Sequence, residues 1–99
     1  MVQLNDGGIS TSIKGYKIHS LEGVSLKKDI PVNLVDGLDG SYVCSTDLSV
    51  PIYSYGNSIE EVKEHMVEQL TMLHNDFVHG GIESFSEKWY VYLDYFDIE

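Results

Sequence analysis

The side chains of this 99-residue chain that could hold a metal ion are sixteen carboxylates, four histidines and one cysteine. Carboxylate oxygens suit Mg²⁺ or Mn²⁺, whose chemistry would be metal-assisted hydrolysis. Acids at turns and element ends have structural uses, because Asp36 opens a turn, Glu61 caps a helix and Asp94 solvates a strand end. No catalytic residue and no metal ligand is therefore expected. His19, His65, His74 and His79 share no zinc-ligand spacing, and Cys44 has no second cysteine to join it. Within an expected strand, with no helix N-terminus or basic neighbour to activate its thiol, Cys44 reads as a small core residue. Neither a phosphate-cradling glycine loop nor a serine elbow occurs, so no cofactor is expected.

The tyrosines point toward binding instead. Tyr42, Tyr53, Tyr55, Tyr90, Tyr92 and Tyr95 fall on expected strands, and tyrosine suits an interface because it buries a large area while keeping a polar tip. Glu60, Glu64 and Glu68 share the polar side of an expected helix, where they either meet water or contact a basic partner. The candidate interface residues are Tyr42, Tyr53, Tyr55, Tyr90, Tyr92, Glu64 and Glu68.

The elements that would position them sharpen after residue 30. Residues 1–23 read as an N-terminal extension, loose around Gly7-Gly8, with a possible strand at Tyr16-Lys17-Ile18-His19. Residues 24–99 read as one α+β domain. Val24-Ser25-Leu26 is a candidate strand, and Ile30, Val32 and Leu34 alternate as a strand with one better-buried face requires. Asp36-Gly37-Leu38-Asp39-Gly40-Ser41 is a turn, and Tyr42–Thr46 completes a hairpin. Pro51 leads into a further strand, Ile52-Tyr53-Ser54-Tyr55, which Gly56-Asn57 ends.

The helix is the clearest element. Ser58 with Glu61 makes a capping box, and Ile59, Val62, Met66, Leu70, Leu73 and Phe77 form one apolar stripe before Gly80-Gly81. Residues 89–96, rich in aromatic and β-branched side chains, read as a final strand. Trp89, Val91 and Leu93 would pack under the helix, leaving Tyr90 and Tyr92 with Tyr53 or Tyr55 on the other sheet face. The expected architecture is β-β-β-α-β with one long helix on one face and possibly an extra N-terminal strand. One helix leaves the second face bare, so a homo-oligomer is expected.

Charge narrows the partner. The chain carries a formal −10 and has no arginine, the residue best suited to bidentate phosphate and base contacts, so direct nucleic-acid binding is not expected. Lys14, Lys17, Lys27 and Lys28 outweigh Asp6 and Glu22 in residues 1–28. Residues 29–99 hold fourteen acids against Lys63 and Lys88, and a field of that sign attracts basic partners or serves solubility alone. A single cysteine, no membrane-length apolar stretch and no signal peptide lead us to expect a cytoplasmic protein without membrane contact.

The segment Val32–Leu73 resembles the HicB antitoxin family. The pattern is Asp39-Gly40-Ser41-Tyr42, Asp47-Leu48, Pro51, Gly56, and Ser58-Ile59-Glu60-Glu61-Val62. Asp47, inside that pattern, joins the candidate interface residues. The resemblance implies a partial ribonuclease-H-like fold and a partner that is a small basic, mRNA-cleaving, HicA-like toxin. Two departures stand out: Ser49-Val50-Pro51 replaces the family's Pro-Gly-Cys, and no DNA-binding segment is expected after the last strand. The alternatives are a stand-alone, self-associating HicB-like domain and a degenerate or metal-dependent nuclease, in which Asp36, Glu61 and Asp94 would stand for the acids that ribonuclease-H-like enzymes place on a strand, on the helix and on a later strand.

Overall fold

The computed structural model describes residues 13–37 and 39–98. The expected looseness at Gly7-Gly8 lies outside them, as does Leu38 of the turn. Four strands, β1 (Ile13–Ile18), β2 (Ile30–Asp36), β3 (Tyr42–Thr46) and β4 (Tyr53–Gly56), form one antiparallel sheet in the order β1-β2-β3-β4. One long helix, α1 (Ile59–Gly80), follows. The α+β class and the single long helix are as expected.

The possible N-terminal strand exists, and it pairs along β2 from Ile13↔Val35 to Ile18↔Ile30. Val24-Ser25-Leu26 is not a strand. Gly23, at φ 67°, turns the chain so that Leu21 and Val24 exchange backbone hydrogen bonds of 3.4 Å, while Leu26 meets Phe96 in a lone bridge. The β2–β3 turn closes through Gly37 N–H donating to Ser41 C=O at 2.7 Å. Gly40 takes φ 86° there, a conformation that favours glycine.

α1 starts as its cap residues dictate, with one change. Ser58 Oγ accepts from Glu61 N–H at 3.1 Å, but the Glu61 carboxylate reaches past the cap to Asn57 N–H at 2.6 Å. Val62, Met66, Leu70, Leu73 and Phe77 are buried, as the stripe requires. They meet Ile30, Val32, Leu34 and Cys44, which the strand registers place on one face. Ser54 Oγ donates to Val62 C=O at 2.9 Å, and a Cβ at Gly56 would meet Val62 N at 2.8 Å, so only glycine lets β4 run this close to the helix.

The expected final strand is corrected. Residues 82–84 and Glu87–Asp94 are two 3₁₀ helices, so the order is β-β-β-β-α rather than β-β-β-α-β. Two physical causes account for this. β2 is bonded on both edges, to β1 and β3, so a further strand could add only outside β1 or β4. The aromatic run also carries a period of three: a 3₁₀ helix eclipses side chains at i and i+3, and Trp89 stacks on Tyr92 at 6.0 Å and 28°. Alternation of apolar residues was the weaker of two patterns in one segment.

Candidate functional site

The candidate interface residues do not share one surface. Tyr92, expected on the bare sheet face, is 0% exposed and belongs to the core. Its hydroxyl donates to Val50 C=O at 2.5 Å. Thr46 Oγ1, 2.8 Å away, donates to Tyr92 Oη and itself accepts from Ile52 N–H at 2.8 Å. Every polar atom of this buried chain of contacts has a partner, as low-dielectric burial demands. Burial pushes the Tyr92 phenol above its ordinary pKa, and the Thr46 hydrogen bond offsets part of that. Tyr92 is thus a structural clasp between the C-terminal 3₁₀ helix and the β3–β4 connection. Sequence reasoning missed it because the strand reading gave it the wrong period.

Tyr90 is half-buried on the same 3₁₀ helix and is not part of the sheet. Tyr42 lies on the helix-facing side of β3, opposite Asp36 and Gly56. Asp47 is exposed, and its N–H ties β3 to Pro31 C=O at 2.8 Å. Of the candidate tyrosines, only Tyr53 and Tyr55 are largely exposed. They are 52% and 64% exposed, and the β3–β4 register puts them on the sheet face opposite α1. Val43 pairs with Tyr55 and Val35 with Val43, so an apolar row crosses that face.

Glu64 and Glu68 are exposed on α1 at a different place, beside Glu22 of the β1–β2 connection. With Glu22, Lys63 and Val67 they line a shallow depression of about 400 Å³. A second hollow of about 240 Å³ adjoins it, sharing Lys63 and Val67 and reaching Tyr16, Ile18, Val32, Cys44 and Met66. The Lys63 ammonium lies 3.8 Å from the Tyr16 ring centroid, so part of its charge is spent on the aromatic face. The two together make a groove between α1 and the segment 16–22, lined by Glu22, Glu64 and Glu68 at one end and by Tyr16, Ile18, Val32, Cys44 and Met66 at the other. Glu22 was not singled out from sequence, because only the turn at Gly23 brings it beside the helix.

The remaining chemistry is dispersed. Among the described residues no three His, Cys, Asp or Glu side chains are grouped to hold a metal ion, and Asp36, Glu61 and Asp94 do not converge. Burial pushes the Cys44 thiol up, with Ser54 and Lys63 pulling it partly back. Hydrogen bonds from the Ser41 side chain and backbone hold the exposed Asp39 carboxyl below its usual range. His65 donates from Nδ1 to Tyr55 C=O at 2.6 Å, since a carbonyl can only accept. His19 pairs with Asp29 at 2.9 Å on the surface. His74 sets its ring edge against Phe96 at 5.4 Å. No helix among the described residues is long and apolar enough to cross a membrane. Compared with known proteins, the chain matches no family model, no curated protein and no solved structure.

Proposed function

We propose that this protein is a non-catalytic binding module that holds a basic segment of another protein in the groove between β1 and α1. The carrying observation is the convergence of Glu22, Glu64 and Glu68 on one depression that Val67 and Lys63 also line. A lysine- or arginine-bearing segment with one apolar side chain fits that combination, because the acids steer and orient while the apolar contact holds. The resemblance of Val32–Leu73 to HicB antitoxins supports the same reading and suggests a small basic toxin of the HicA kind as the natural partner. The chain's net charge of −10 favours that encounter at long range.

An amphipathic peptide of alternating Lys and Leu, titrated into the isotopically labelled protein, tests this. Amide shifts should move at Glu22, Glu64, Val67 and Glu68, and association should weaken as salt is added. Reversing charge in Glu64→Lys/Glu68→Lys should slow association about tenfold or more at low ionic strength. Shifts confined to Tyr53 and Tyr55, or association rates indifferent to salt, would overturn the groove assignment.

A further inference from the structure

The two outer edges of the sheet differ in what their backbones offer. Asp47 N–H donates to Pro31 C=O and Thr46 N–H to Ile52 C=O, which fixes every ladder, because antiparallel strands exchange hydrogen bonds at alternate residue pairs. Carried through the β2–β3 and β1–β2 registers, that alternation turns the backbone groups of Lys14, Tyr16 and Ile18 toward β2 and those of Ile13, Gly15 and Lys17 outward. Among the described residues no strand lies outside β1. At the other edge β4 is only four residues long, and His65 already holds the Tyr55 carbonyl.

On the premise that the groove binds a basic segment, we propose that the segment enters as an extended strand, pairing antiparallel with the outer edge of β1. Such a strand lies about 4.8 Å from β1. Its residues opposite Tyr16 and Ile18 project on the same side as those two, the side on which the groove opens. Main-chain hydrogen bonds then supply affinity, and alternate side chains supply specificity.

The groove dictates the order of those side chains. The residue opposite Tyr16 is apolar, because Tyr16, Val32, Cys44 and Met66 line that end, and two residues before it, opposite Ile18, comes Lys or Arg, directed to Glu22, Glu64 and Glu68. Those acids are available. The one ion pair among the described residues is His19 with Asp29, and the neighbouring Lys63 ammonium is turned onto the Tyr16 ring. Lys14 and Lys17 restrict the rest of the segment, since like charges directly opposite each other are destabilising. Residues facing them are neutral or acidic.

The probe is a capped peptide, Ser-Lys-Thr-Leu-Thr-Ser-Thr, titrated to millimolar concentration into isotopically labelled protein. Amides of Glu22, Glu64, Val67 and Glu68 should shift, and those of Gly15 and Lys17 should also become protected from hydrogen exchange. N-methylation of the two threonines that flank leucine, whose N–H groups face β1, should weaken binding about tenfold or more, the scale of two lost hydrogen bonds. N-methylation of lysine and leucine, whose N–H groups face away, should leave binding nearly unchanged. Gly15→Pro removes an outward donor without touching the β2 ladder, and a Cβ at this position meets nothing within 4 Å, so it should weaken binding while circular dichroism stays the same. If that variant unfolds, the methylated peptides decide. Groove shifts without protection at Gly15 and Lys17, together with threonine methylation of no effect, would overturn strand addition and leave the groove reading standing. Groove amides that do not shift at all overturn both.

Discussion

The two faces of the sheet are built from alternate residues of the same strands, yet they behave as different materials. On the face beneath α1, Ile30, Val32, Leu34 and Cys44 are all buried. On the other, Val35 and Val43 are half-buried and Tyr53 and Tyr55 are mostly in water. Hydrophobicity does not separate them, because valine occupies both. The helix does. A side chain's contribution to stability is therefore decided by which face the 22-residue α1 covers.

The sharpest test of that contrast is Leu70→Ala. It removes a side chain that is 0% exposed between α1 and the sheet, and should cost about 2–5 kcal/mol in urea unfolding. Tyr55→Ala on the bare face, measured at a concentration where the protein is monomeric, should change stability by less than about 0.5 kcal/mol. Comparable losses at the two sites would break the distinction.

A smaller effect is expected at the seam where β4 meets the helix. Gly56→Ala pushes a methyl group against the Val62 backbone and should cost about 1–3 kcal/mol through overpacking. Gly15→Ala on the bare face meets nothing within 4 Å, so its thermal midpoint should barely move. A Gly56 variant as stable as the parent would show that the helix N-terminus can shift away from β4.

The mildest contrast is in pH. Tyr92 and Cys44 both have folded pKa values raised by burial above the ordinary 10.0 and 9.0. Above those ordinary values the unfolded chain releases protons that the folded one retains, so the stability they contribute is complete below about pH 9 and declines as pH rises toward the folded values. Urea midpoints from neutral to alkaline pH should fall, and Cys44→Ala and Tyr92→Phe should flatten that fall. A slope that neither Cys44→Ala nor Tyr92→Phe flattens would show that these two buried groups do not set it.

Some of this was legible residue by residue. Ser58 and Glu61 marked the start of α1, and the Val62–Phe77 stripe identified its buried side, because a period near 3.6 over about six turns has no competing reading. Ile30, Val32 and Leu34 announced a strand by period two. Residues 89–96 were not legible. Eight residues of mixed aromatic and β-branched type satisfy alternation and a period of three together, and the choice depends on whether a sheet edge is vacant. With β1 on β2, a further strand could add only outside β1 or β4; the run formed a 3₁₀ helix instead, and Tyr92 moved from candidate interface to core. The candidate site was legible only in part: Glu64 and Glu68 could be placed on a polar helix side, but Glu22 and the apolar end of the groove could not be joined to them.

What the amino-acid sequence determined unaided is therefore local and compositional: the −10 charge, the absence of arginine, the capped helix with its stripe, and the strands whose period is unambiguous. These follow from backbone geometry and solvation within a few turns of chain, so no distant residue needs to be known. Tertiary structure alone decided which sheet face is bare, which tyrosines reach water, and that Glu22 stands beside Glu64 and Glu68. Those outcomes rest on contacts between segments far apart in sequence, where hydrogen-bonding edges and apolar faces are finite and the first element to occupy one excludes the rest.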